Sequence, residues 1–332
     1  MSEIRYDVIG IGNAIVDIIG RCDDAFLARH GAPKGHMRLV DDATISTLYS
    51  TMGPAVEVSG GSAANTLVGL ASFGGRAAFI GMIADDEFGR IFGHDIKAAN
   101  VTFASKPVAG KAPTSRSLIL VTPDGERTMN TFLGISTELG ENEIDADLVS
   151  SSAIIYLEGY LFDRPEAKAA FRQAVKIAKS AGRQVALTLS DSFCVDRHRN
   201  EFIELIRNGI DILFANESEI TSLYETSDFE LAAQNAARDT RLAAITRSEK
   251  GSIILAEGHR LEIPVSPIET LVDSTGAGDL YAAGFLYGLT AGAGLETAGR
   301  LGSLAAAEVI SHIGARPNTP LHQLARAQNL VG

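Results

Sequence analysis

Through the C-terminal half of the chain, short apolar runs of strand length alternate with longer stretches of helical periodicity. Ala153 to Leu157 reads as a strand, 164–181 as a helix, Val185 to Leu189 as a strand and 199–207 as a helix. The series continues with a strand at Asp211 to Ala215, a helix from Glu217 and a strand at Leu242 to Thr246. These strand runs are apolar at nearly every position, so both faces of each strand must be covered. The pattern predicts an α/β protein in which a mostly parallel sheet is sandwiched by helices, with ligands at the carboxyl ends of the strands.

The N-terminal half departs from this rhythm. Arg116 to Val121 and Glu126 to Leu133 flank Thr122-Pro123-Asp124-Gly125, a turn sequence that predicts a β-hairpin outside the helix-covered sheet. Taken with the chain near 14–58, the hairpin region at 114–135 predicts a small β-rich lid inserted within one large domain spanning 1–332. There is no internal repeat, low-complexity tract or Pro-rich linker to mark an independent second domain.

Composition changes the picture mainly by exclusion. The 29 basic and 41 acidic side chains give a net charge of −12, which repels nucleic acid and anionic lipid at long range. A phosphorylated ligand then needs a local trap of cationic or backbone N–H groups. Only Cys22 and Cys194 are present, too few for a disulfide framework, and the seven His are scattered, so a reducing, cytoplasmic setting is expected. The apolar stretch in the first twenty residues is interrupted by Glu3, Asp7, Asn13 and Asp17 and reads as a buried strand and its loop, not as a targeting or spanning segment.

The strongest chemical signal is Asp273-Ser274-Thr275-Gly276-Ala277-Gly278-Asp279, followed by an apolar helical pattern from Leu280. Glycines just before a helix leave N–H groups unpaired at the positive end of its dipole, which makes an anion site suited to a phosphoryl group. Asp279 can take a hydroxyl proton there while Gly276, Ala277 and Gly278 present N–H groups to the developing charge. Capping the helix is the plainer use of the same carboxylate. Gly60-Gly61-Ser62-Ala63-Ala64-Asn65 is a second glycine turn into a helical pattern. Asn216-Glu217-Ser218-Glu219 follows an apolar strand, where Glu219 can order hydrated Mg²⁺ or Asn216 can simply cap a helix. Gly10-Ile11-Gly12 lacks the third glycine of a dinucleotide fingerprint, and Gly110-Lys111-Ala112 is not a P-loop.

In this order and spacing, the Gly60 to Asn65 segment with Asp85-Asp86-Glu87-Phe88-Gly89, then Asn216 to Glu219, then Asp273 to Asp279, resembles the ribokinase-like (PfkB) carbohydrate and nucleoside kinase family over nearly the whole chain. Within it the sequence is most similar to adenosine kinases, especially bacterial ones. The resemblance implies MgATP-dependent transfer to a primary alcohol, with Asp279 as base and Arg127 as a lid arginine that approaches the phosphoryl group. It also implies an acceptor site of Asn13, Asp17, Gly61, Ser62, Asn65 and Tyr160, in which Asp17 holds ribose hydroxyls and Tyr160 stacks on adenine. ATP and its Mg²⁺ are assigned to Asn216, Glu219, Thr246, Ser248, Gly251 and Gly278, with Mg²⁺ reached from Glu219 through water. Ser248 stands where many relatives carry Gly. Ile313 to Arg316 resembles a segment near the ATP adenine, and Asp273 falls in a monovalent-cation loop that suits K⁺.

The expected reaction is transfer of the γ-phosphoryl of MgATP to the 5′-hydroxyl of adenosine, giving AMP and ADP, a step of purine salvage. One alternative is a kinase of the same fold acting on ribose, fructose or 2-keto-3-deoxygluconate. Another is a non-catalytic nucleoside binder, which has no need of a base such as Asp279. Both a monomer and a homodimer fit the sequence.

Overall fold

The structure is a computed structural model that describes residues 3–332. Fourteen strands build two sheets: β1 (Tyr6–Ile11), β2 (Ile15–Arg21), β3 (Met37–Leu39), β4 (Ala55–Gly60), β5 (Ala77–Ile80), β6 (Val101–Phe103), β7 (Ser115–Val121), β8 (Arg127–Phe132), β9 (Ser152–Glu158), β10 (Gln184–Thr188), β11 (Ile212–Asn216), β12 (Leu242–Thr246), β13 (Ser252–Ala256) and β14 (His259–Ile263). The larger sheet has the order β14-β13-β12-β11-β10-β9-β1-β5-β6. It is parallel from β12 to β6, and β13 and β14 add an antiparallel edge.

Alternate residues of the central strands feed two separate cores. Val8, Ile154, Tyr156, Ala186 and Phe214 pack on one face against Leu67, Leu280, Phe285 and Leu301. Ile9, Ile155, Leu157, Val185 and Leu213 pack on the other against Phe171, Phe202 and Ala232. Helices therefore cover both faces, as the unbroken apolar runs predict. The helices Pro165–Ser180, Glu217–Leu223 and the strand Leu242–Thr246 fall within a residue or so of the expected elements. The helix predicted at 199–207 is the second part of Ser192–Gly209, which kinks at His198, where φ is −127° and ψ 21°; Asp191 caps the first part by accepting from the Cys194 N–H at 2.6 Å.

The second sheet has the order β3-β8-β7-β2-β4. The antiparallel hairpin of β7 and β8 lies at its centre, and β2 and β3 join it in parallel. Because paired residues share a face, Asp17, Ile19, Val58, Ile119 and Met129 lie on one side of this sheet. Phe132 turns to the opposite side, where the Arg116 guanidinium sits 5.5 Å from its ring. Among the described residues, no helix is long and apolar enough to cross a membrane.

Candidate active site

Two helices bring the key residues together. Ser62–Ser72 starts at the end of β4, and Ala277–Thr290 starts after the second glycine loop. They pack so closely at Gly69 that a Cβ there would lie 2.5 Å from Leu280 and 2.7 Å from Ala283. This contact places both N-termini at the same edge of the large sheet. Ser62 Oγ donates to Asp279 Oδ1 at 2.6 Å, and Asn65 Nδ2 donates to Asp279 Oδ2 at 3.2 Å. Burial lifts the Asp279 carboxyl to about 6, and those two donors restrain the rise. Asp279 is the third residue of its helix, but it spends both oxygens on the neighbouring helix and caps nothing of its own.

Gly276, the cap residue, adopts left-handed φ 79°. Its N–H and that of Gly278 meet no acceptor among the described residues, whereas the Ala277 N–H is spent on the Ser274 carbonyl at 3.2 Å. The expected trio of N–H donors is thus a pair. Asp273 is held on both oxygens: Oδ1 accepts from the Thr275 N–H at 3.0 Å, Oδ2 from the Gly314 N–H at 2.9 Å, and Arg127 Nη2 lies 2.7 Å from Oδ2. Arg127 Nη1 also donates to Thr275 Oγ1 at 3.0 Å, so the second sheet already reaches across to the glycine loop.

The end of β1 and the start of the Ser62–Ser72 helix form the floor. Asn13 Nδ2 donates to Glu158 Oε1 at 2.6 Å, and the Ala63 N–H donates to Glu158 Oε2 at 2.9 Å. Gly61, at φ 94°, cannot cap this helix with a side chain, and Glu158 does so from the end of β9. A Cβ on Gly61 would collide with the Asn13 carbonyl. Asn13 thus faces inward and supports the floor. Glu158 is a residue that the sequence reading passed over in favour of Tyr160. Its signal was available: a carboxylate closing a run of buried strand residues. Burial lifts it to about 7.

Asp17 lies against Gly60, where any Cβ would meet its carboxylate. No hydrogen-bond donor reaches it among the described residues. Burial raises it to about 7, opposed by the charge of Arg316 and assisted by that of Asp279. Arg316, read from sequence as part of a segment near the ATP adenine, instead bonds Asn65 and Ser59. Tyr160 is half-buried; its N–H and hydroxyl both bind Ser190, each at 3.3 Å.

Asn216 and Glu219 form a reciprocal helix cap. Asn216 Oδ1 accepts from the Glu219 N–H at 2.8 Å, while Glu219 accepts from the Asn216 N–H at 2.9 Å and from its side-chain amide at 2.7 Å. Glu219 is buried and lifted to about 7. Thr246 ends β12, and the turn beyond it carries Ser248 at φ 51° and Gly251 at φ 81°. At Ser248 the left-handed φ is one that glycine adopts without steric cost.

A half-buried carboxylate beside unpaired N–H groups at a helix start is the equipment of a phosphotransferase with an alcohol acceptor. The model of the pfkB family of carbohydrate kinases matches residues 49–321, and the chain belongs to that family. It is 55% identical to the adenosine kinase from Sinorhizobium meliloti, with a TM-score of 0.92 over 98% of this chain and 99% of that one. It is 50% identical to a probable sugar kinase from Rhizobium etli, with a TM-score of 0.93 over 99% of this chain and 100% of that one. The adenosine kinase of Saccharomyces cerevisiae is 25% identical over 96% of this chain and 98% of its own length.

Proposed function

We propose that this kinase transfers the γ-phosphoryl group of ATP to the 5′-hydroxyl of adenosine, releasing AMP and ADP. The observation that carries the reading is Asp17. It is a desolvated carboxylate with no donor of its own, close enough to Asp279 for their charges to interact. Two vicinal hydroxyls of a ribofuranoside satisfy such a group. Beside it, Ile19, Val58 and Met129 share a face of the second sheet with Ser117 and Thr131, and these apolar side chains offer more surface than a bare sugar needs. Similarity to the Sinorhizobium enzyme supports the same acceptor.

In the proposed reaction Asp279 accepts the 5′-hydroxyl proton as that oxygen attacks the γ-phosphorus, and the bond to the ADP oxygen breaks. The proton then passes from Asp279 to solvent. The Gly276 and Gly278 N–H groups meet the charge on the transferring group, and Arg127, already beside the glycine loop, adds a cation there. The second sheet acts as the lid that excludes water, so that ATP is not hydrolysed. On the donor side, Leu271 and Ile313 are exposed apolar residues flanking the loop and offer a surface for the ATP base.

Mg²⁺ travels with ATP and neutralises phosphate charge. Among the described residues no three carboxylate, His or Cys groups form a metal cage, and both Glu219 oxygens are bonded to Asn216. Glu219 and Asn216 therefore fit an outer role, holding water of the hydrated ion. The likeness to the Rhizobium sugar kinase sustains a second reading, with a free sugar or sugar acid as acceptor.

Product analysis tests the proposal. The enzyme with MgATP and adenosine should give AMP and ADP in equal amounts. ADP formed without AMP would refute it.

A further inference from the structure

Arg316 is a buried guanidinium with an unusual set of neighbours. Its segment is tied to the glycine loop, since the Gly314 N–H donates to Asp273. The side chain crosses to the acceptor side, where Nη1 donates to Ser59 Oγ at 2.6 Å and Nε donates to Asn65 Oδ1 at 3.3 Å. Nη2 is buried with no hydrogen-bond partner. Burial lowers the guanidinium to about 10, opposed by the charges of Asp17 and Asp95.

Asn65 stands between this guanidinium and Asp279. A guanidinium only donates and a carboxylate only accepts, whereas an amide has one end of each kind. The orientation is therefore forced: the carbonyl faces Arg316 and the NH₂ faces Asp279. The flipped amide would set a carbonyl against a carboxylate and an NH₂ against a cation. No donor other than Arg316 reaches Asn65 Oδ1 among the described residues, so without Arg316 nothing holds that end.

We propose that Arg316 is a positioning residue for phosphoryl transfer: it locks the Asn65 amide so that Asn65 donates to Asp279. The inference rests on Asp279 as base.

The test is steady-state kinetics of Arg316→Met and Arg316→Lys, each made in the wild-type and in the Asn65→Ala backgrounds. In the wild-type background both changes should lower kcat by about tenfold, the size of one misplaced hydrogen bond to a charged group. In the Asn65→Ala background neither change should lower kcat by more than about twofold, because the amide it positions is gone. ATP affinity and thermal midpoint report folding, and if Arg316→Met unfolds the chain, Arg316→Lys carries the kcat test. Unchanged kcat in folded Arg316 variants, or losses that multiply in full with Asn65→Ala, overturns the proposal. Failure of the underlying reading looks different: Asp279→Asn would then retain its turnover, whatever the Arg316 variants do.

Discussion

On the acceptor side of the cleft, Asn13 is bonded to Glu158, and Ser62, Asn65, Asp279 and Arg316 form a chain of hydrogen bonds, while Asp17 and the Nη2 of Arg316 have no hydrogen-bond partner among the described residues. On the donor side, the N–H groups of Gly276 and Gly278 are unspent, Ser248 holds a strained turn, and Leu271 and Ile313 stand 62% and 52% exposed. The difference has a physical reason. A small neutral acceptor brings little charge of its own, so the hydroxyl that reacts must be held by groups fixed in advance. ATP carries its own charge and metal, and glycine-rich backbone at a helix start suffices to receive it. Damage to the acceptor side should therefore appear in turnover and acceptor binding, and damage to the donor side should be milder.

The largest effect is expected from Asp279→Asn, which should lower kcat by about 10²–10⁴-fold, the range for loss of a positioned base. The same change should raise the thermal midpoint, because a carboxylate lifted to about 6 by burial costs stability when ionised. A fall in kcat of less than tenfold would show that Asp279 is not the base.

Next in size is Gly60→Ala. Its Cβ would displace the Asp17 carboxylate, at a cost of about 1–3 kcal/mol, so the adenosine KM should rise about tenfold or more. The ATP KM should hold within about twofold. Equal losses in both would erase the distinction between the two halves.

The pH dependence sharpens it further. Asp17, Glu158 and Glu219 titrate near 7 in the folded protein and Asp279 near 6, all above the ordinary values of 3.8 and 4.5. Between about pH 4 and 7 the folded chain thus binds more protons than the unfolded one, and stability should fall as pH rises through that window. Turnover should move the other way, because base and acceptor ligand must be ionised. Urea unfolding and kcat measured across pH 5–8 should slope oppositely, and parallel slopes would contradict the assignment.

The smallest effect is expected from Ser248→Gly. Relief of the left-handed φ should outweigh the added freedom of glycine and stabilise the fold by about 0.5 kcal/mol, with kcat within about twofold. A loss of stability on melting would mean that the Ser248 side chain makes a contribution of its own.

What the sequence made legible follows from which interactions are local. The alternation of apolar runs and helical periods marks the large sheet because burial on both faces imprints every position of a strand, as in Ser152–Glu158. The glycine loop before Asp279 was legible because a helix start and its free N–H groups are properties of adjacent residues. Glu158 and Arg316 were not, since their roles exist only through partners far along the chain. Glu158 caps a helix 95 residues away, and Arg316 orients an amide 251 residues away.

The most direct test of the central claim is the ratio of kcat/KM for adenosine to that for ribose, from ADP release with fructose and 2-keto-3-deoxygluconate alongside. The account predicts a ratio of at least ~100, the gain from burying a purine against apolar side chains. Equal or greater efficiency with ribose, fructose or the keto-sugar acid would contradict it and make the chain a sugar kinase.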